Sequence, residues 1–180
     1  MEFKKYYQEK IKDRFTQMGV KNPMAYPKIV KIVINIGAGE AVANKGVLEK
    51  IQEQLASITG QKPIITKAKK SVSAFKIRKG LPIGVKVTLR GKKMFALLEK
   101  LVKIIIPRIK DFRGISETSL DKSGNLNIGF SEQTIFPEID YEKIDKIRGL
   151  QITIVTNAQN KEKGKMLFEA IGIPFKKLKN

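Results

Sequence analysis

Apolar residues recur along this chain in two periods, and the switches between them predict the order of elements. From Phe3 to Met18 they fall at Tyr7, Ile11, Phe15 and Met18 with charges between, the spacing of one helix face. Gly19 and the Asn22-Pro23 pair end that helix. Lys28 to Ile36 then alternates as a strand does: Val30, Ile32, Ile34 and Ile36 make a wholly apolar face, and Ile29, Lys31, Val33 and Asn35 a mixed one. Gly37 and Gly39 turn the chain. Val47, Leu48, Ile51, Leu55 and Ile58 set out a second helix that stops at Gly60.

Past Gln61-Lys62-Pro63, Ile64-Ile65-Thr66 reads as a short strand and Lys67 to Lys79 as a long extended loop. Gly84 to Arg90 is the cleanest alternation, with Val85, Val87 and Leu89 on one face and Lys86, Thr88 and Arg90 on the other. Met94 to Ile106 is an apolar helix that Pro107 should close. Asp121-Lys122-Ser123-Gly124 carries hairpin-turn chemistry, with short strands expected on both sides up to Ile135. Leu150 to Thr156 alternates again, and Lys165 to Ile171 is a last helix before a basic tail. With strands and helices interspersed and no βαβ or internal repeat, the expectation is α+β. Residues 1–180 would form one domain, a twisted and mostly antiparallel sheet with helices mainly on one face and a long basic loop.

Charge gives the open face a purpose. Between Gln54 and Leu98 there are eleven Lys or Arg and no Asp or Glu. Mixed surface charge favours solubility, so a folded stretch of one sign is a footprint for a polyanion. The whole chain has 36 Lys and Arg against 17 Asp and Glu, a net +19, at the level of nucleic-acid binders. An open sheet face showing Lys31, Asn35, Lys86, Thr88 and Arg90 would neutralise phosphates and hydrogen-bond sugars or base edges; the same alternation also serves simply to solvate an exposed sheet. The loop adds Lys67, Lys69, Lys70, Lys76, Arg78 and Lys79, which would grip backbone phosphates, while Phe75 or Ile77 packs against a base or anchors the loop's root, Phe75 being expected as an anchor more than as a stacking platform. A merely solvated basic loop is the alternative.

Other chemistries find less support. The chain lacks His and Cys, so the commonest general bases, nucleophile pairs and thiolate metal sites are missing. No apolar run approaches a bilayer's thickness. Gly37-Ala38-Gly39 has Val42 where a dinucleotide fingerprint needs its third glycine, so a tight turn explains both glycines. Glu132, Glu138, Asp140, Glu142 and Asp145 cluster, either as an acidic patch for a cationic partner or as an acid-rich helix start. Arg108, Lys110 and Arg113 form a small basic cluster after Pro107, either an RNA contact or a solvated connection. A DNA-compacting protein, or a nuclease with carboxylate-bound metal, would share the overall charge.

Five words in order carry a resemblance. Ile34-Asn35-Ile36-Gly37-Ala38-Gly39-Glu40, Gly60-Gln61-Lys62-Pro63, Pro82-Ile83-Gly84-Val85-Lys86-Val87-Thr88-Leu89-Arg90-Gly91, Pro107-Arg108-Ile109-Lys110-Asp111-Phe112-Arg113-Gly114 and Ile135-Phe136-Pro137-Glu138-Ile139-Asp140-Tyr141, with the closing Gly172-Ile173-Pro174-Phe175, resemble the bacterial large-subunit ribosomal protein L5 family. The resemblance implies a non-enzymatic, cofactor-free, cytoplasmic constituent of the ribosome that binds 5S rRNA and helps attach it to large-subunit rRNA in the central protuberance. It implies neighbouring 5S-binding ribosomal proteins, a contact with P-site tRNA, and a bridge to a small-subunit protein. The implied 5S-rRNA residues are Asn35, Gln61 and Thr88, and Lys67 to Pro82 is the tRNA-contacting loop. The bridge is expected around Arg108, Lys110, Arg113, Glu138 and Asp140. The chain departs from the family at Leu120 and Leu126, where aromatics are usual, and at Ser131, where many members have Arg.

Overall fold

The computed structural model describes residues 2–20, 22–42, 44, 46–109, 112–139 and 144–176. Helices α1 (Glu2–Gln17), α2 (Gly46–Thr59), α3 (Gly91–Lys100), the short α4 (Ile106–Arg108) and α5 (Lys161–Ile171) are interspersed with five strands. These are β1 (Ile29–Gly37), β2 (Ile64–Lys67), β3 (Pro82–Leu89), β4 (Leu126–Phe130) and β5 (Leu150–Thr156), in one sheet ordered β2-β3-β1-β5-β4. This is the α+β arrangement the sequence pattern predicts. Close contacts group the chain into two compact units, one of Met1–Ile32, Arg90–Ile128 and Thr153–Asn180, the other of Val33–Leu89 and Gly129–Ile152.

In the first unit, α1 buries Phe3, Tyr7, Ile11 and Phe15, a strict i, i+4 row. Met18 was expected on that stripe but is exposed, because Gly19 adopts φ +80° and unwinds the helix just before it. α1 packs against α3 and α5. The Tyr7 ring meets Phe95 edge-on at 5.1 Å, and its hydroxyl accepts from the Ile29 N–H at 2.9 Å. Burial pushes that phenol up to about 12. The alternation expected of β1 slips at its start, where Ile29 is buried and Val30 is 47% exposed. Tyr7 holds Ile29 against the helices, and the apolar face resumes at Ile32.

Pro107 does not close the third helix; it lies within the final turn. A proline lacks the N–H for the α ladder, and its ring collides with the carbonyl one turn back. The chain absorbs it by widening into a π turn over Leu101–Ile105, where the Ile106 N–H reaches back five residues to the Leu101 carbonyl. The Asp121–Gly124 turn forms as expected: the Asp121 carboxylate accepts from the Asn125 N–H and side-chain amide, both at 2.7 Å. A full strand follows it but none precedes it. Leu120 makes only an isolated bridge to Leu126, because Ser116 caps Thr118 and curls Glu117–Ser119 into a 3-10 turn. Gln133–Ile135 is likewise 3-10. The last helix starts at Lys161, not Lys165, because Asn160 caps it by accepting from the Glu162 N–H.

In the second unit, α2 packs on β2 and β3. Ile51 and Leu55 of the helix, Val85, Val87 and Leu89 of β3, and Ile34 and Ile36 of β1 are all buried. This core determines which strand residues are left on the other face.

Candidate nucleic-acid interface

Because Val85, Val87 and Leu89 face the core, Lys86 and Thr88 must face away from it, Lys86 exposed and Thr88 half-buried. Asn35, between buried Ile34 and Ile36, is likewise exposed on β1. The antiparallel pairing of β2 with β3 sets Ile64 opposite Lys86 and Thr66 opposite Gly84, and residues opposite each other share a face. Ile64 therefore lies beside Lys86 and is 65% exposed. The sequence reading missed it. Its signal was available: of two adjacent isoleucines in a strand packed on one side only, one must face out.

Gln61 reaches this face from the end of α2. Its backbone is fixed by Thr59, whose hydroxyl donates to the Leu55 carbonyl at 2.7 Å and accepts from the Gln61 N–H at 3.3 Å. Its side-chain amide then donates to the Thr88 carbonyl at 3.2 Å. Gln61 and Thr88, 27 residues apart, are thus in contact. Lys31 and Arg90 fall in the other unit, Lys31 half-buried and Arg90 exposed at the N-cap of α3.

The basic segment is a built arm. Main-chain bonds link Ala68 with Leu81 and Gly80, and Val72 with Ile77 in both directions, at 2.8–3.1 Å. Ser71 Oγ accepts from the Lys79 N–H at 2.9 Å. A 3-10 turn over Ser73–Phe75 ends on Lys76, which adopts the left-handed conformation at φ 53°. Lys67, Lys69, Lys70, Lys76, Arg78 and Lys79 are all exposed. Phe75 is not the anchor expected of it: at 71% exposure it stands at the tip, and buried Ala68 with half-buried Ile77 ties the arm down instead. A turn three residues long has no interior to hide a phenylalanine.

Elsewhere in the second unit, Ala38 is buried and donates to the Ile83 carbonyl at 2.9 Å, so the Gly37-Ala38-Gly39 turn packs on β3. The acidic cluster divides. Asp140 and Glu142 lie outside the described residues, as does Lys110. Asp145 grips Arg148 through both oxygens at 2.8 and 3.1 Å, while Glu40 takes the Arg148 Nε at 2.6 Å and Lys146 at 3.0 Å. Arg148 is 6% exposed. The guanidinium holds the Asp145 carboxyl down to about 2, and the Lys146 ammonium and then Arg148 lower Glu40 as well. Among the described residues of that stretch a 3-10 turn starts at Gln133 with Glu132 at its N-cap position, and the middle of the acid-rich segment lies outside them. Asp145 is engaged within its own unit. Among the described residues no group of carboxylates could hold a metal, and no helix is long and apolar enough to cross a membrane.

Arg108 and Arg113 are both exposed in the first unit, and Glu138 is half-buried in the second. The two leucines that depart from the family pattern, Leu120 and Leu126, are buried. Both leucines fill the interior of the first unit.

Two descriptions of one family together match most of the chain, "Ribosomal protein L5" over residues 22–78 and the C-terminus of the same ribosomal family over residues 82–175. The large ribosomal subunit protein uL5 of Dictyoglomus thermophilum is 54% identical over 173 residues, spanning 96% of this chain and 97% of its own length. The uL5 of Desulfotalea psychrophila is 55% identical over 161 residues, 89% and 90% of the two chains. That of Chloroflexus aggregans is 51% identical over 172 residues, 96% of each.

Proposed function

The chain belongs to the ribosomal protein L5 family, and from that premise we propose that the open sheet face of its second unit binds 5S rRNA. As a family member it is a structural, non-enzymatic constituent of the large ribosomal subunit, and it works in the ribosome, in the cytoplasm.

The observation that carries the 5S reading is the contact between Gln61 and Thr88, with Lys86 on the same strand and Asn35 on the same unit's polar side. Three hydrogen-bonding side chains on one scaffold fix the register of an RNA, while Lys86 supplies salt-dependent attraction to phosphates. In this reading the arm from Lys67 to Pro82 contacts P-site tRNA, and the protein helps secure 5S rRNA to large-subunit rRNA in the central protuberance beside other 5S-binding proteins. Arg108, Lys110, Arg113, Glu138 and Asp140 then belong to the bridge with a small-subunit protein.

The test is a salt series of binding to 5S rRNA, an unrelated duplex RNA of equal length, and duplex DNA. Binding to 5S rRNA that persists where both competitors have dissociated supports shape and hydrogen-bond recognition. Equal binding to all three, falling together with salt, leaves charge alone and withdraws the site.

A further inference from the structure

The first unit holds a groove of about 660 Å³ between α1, the segment leading into β1, and the start of α3. That volume is in the range of small-ligand sites, roughly 300–1,000 Å³. Its aromatic walls are Tyr7, Tyr26 and Phe95. Both tyrosine hydroxyls are engaged, Tyr7 with the Ile29 N–H at 2.9 Å and Tyr26 with Thr16 Oγ1 at 3.0 Å. The rings therefore offer hydrocarbon and not polar handles. The charged side chains that line the groove are Lys4, Lys12 and Lys28, all exposed, and no Asp or Glu is among its lining residues. Lys28 is held in place through its backbone, which donates to Asn157 Oδ1 at 2.6 Å and accepts from the Asn157 N–H at 3.1 Å.

A second hollow of about 290 Å³ shares Lys4, Gly91 and Phe95 and adds Lys92. Its one carboxylate, Glu99, is taken by Lys103 at 2.6 Å. α3 begins at Gly91 with no side-chain cap, so the positive end of its dipole reinforces the same sign. Arg90 and Lys31, in the same unit, adjoin the groove in sequence at Gly91 and Val30.

We propose that this groove receives an unstacked nucleotide of rRNA, its base against the rings of Tyr26 and Phe95 and its flanking phosphates on Lys4, Lys12 and Lys28. Flat aromatic walls whose hydroxyls are already engaged suit the face of a base, and a rim of one charge suits the backbone on either side of it. An acidic peptide would meet the rim equally well. Among the lining residues only Gln8, besides the two engaged tyrosines, is an uncharged polar side chain able to meet its backbone polar groups, which disfavours it. None of Asn35, Gln61, Lys86 and Thr88 takes part, so this contact stands apart from the 5S site.

The experiment measures binding of the full chain to three fluorescently labelled probes at one salt concentration: a single-stranded tetra-adenylate, the abasic ribose-phosphate of equal length, and an acidic apolar decapeptide. Two variants accompany the wild type, Val30→Trp to fill the groove and Lys4→Gln/Lys12→Gln/Lys28→Gln to remove its charge. The expected result is that tetra-adenylate binds about tenfold more tightly than the abasic probe, and that each folded variant loses about tenfold in tetra-adenylate affinity. Binding of 5S rRNA should stay unchanged in both, which separates this proposal from the previous one. Equal affinity for the base-bearing and abasic probes would overturn it. So would wild-type affinity in the triple variant, and tighter binding of the decapeptide would assign the groove to a protein partner.

Discussion

The side-chain amide of Gln61 donates to the main-chain carbonyl of Thr88 at 3.2 Å, joining the end of a helix to a strand 27 residues away. The bond spends one donor of Gln61 and none of the Thr88 hydroxyl, so it positions both residues while leaving polar atoms for a ligand. Removing such a part-buried bond costs on the order of 1 kcal/mol, because water can replace it. Gln61→Ala, Asn35→Ala and Thr88→Val should therefore keep native circular dichroism and unfold within a few degrees of the wild type. Each should weaken 5S-rRNA binding by roughly tenfold, about the value of one lost contact to a nucleic acid. Wild-type affinity in all three, measured by filter binding at fixed salt, would remove these residues from the interface.

The exposed Phe75 predicts an unusual pattern for an aromatic. Truncating a buried phenylalanine costs about 3–5 kcal/mol, whereas a solvent-exposed one changes stability by only about ±0.5 kcal/mol. Phe75→Ala should thus unfold at the wild-type temperature. Paired with neutralisation of Lys69, Lys70, Lys76 and Lys79, it should leave 5S-rRNA binding within about twofold while impairing translation by ribosomes that carry it. Loss of 5S-rRNA binding would mean that the arm belongs to the 5S site.

What could be read from the sequence was what local periodicity encodes. Leu150 to Thr156 was legible to the residue, because its alternation survives intact when one face is buried. The second helix was legible because Val47, Leu48, Ile51, Leu55 and Ile58 all meet the same core. Features set by distant partners were not. Val30 is exposed because Tyr7, far away in sequence, captures Ile29, and no window around Val30 contains that information. Asn35, Lys86 and Thr88 could be read as outward-facing from alternation alone, but the link from Thr88 to Gln61 could not. Phe75 was misread because an aromatic in a basic segment looks like an anchor until the turn is seen to have no interior.

Gly84 makes a prediction about the scaffold beneath the proposed site. A Cβ there would stand 2.8 Å from the Ile36 carbonyl oxygen and 2.9 Å from Thr66 Oγ1. The first obstacle is backbone, and the second belongs to a β-branched side chain with few alternative rotamers, so neither moves aside readily. Gly84→Ala should cost about 1–3 kcal/mol as overpacking, measured by urea unfolding. It should also lower 5S-rRNA affinity, because the strands that would give way carry Asn35 and Lys86. A stable Gly84→Ala protein with unaltered binding would show that the three strands tolerate separation.

The Arg148 network sets an acid limit on stability. Asp145 is held at about 2, below its ordinary 3.8, and Glu40 is lowered too. Groups with depressed folded-state values contribute stability above their unfolded values and lose it as pH falls through the folded ones. The wild type should therefore lose stability progressively as pH falls from about 5 towards 2. Arg148→Ala leaves two carboxylates without their shared cation, at a cost of about 2–4 kcal/mol near pH 7, discounted from a fully buried pair because both carboxylates keep some solvent. Protonation relieves that repulsion, so the gap in melting temperature between variant and wild type should be widest near neutrality and narrow towards pH 2. A gap that stays constant with pH would mean that Arg148 stabilises the fold by packing alone, and that its two carboxylates contribute nothing.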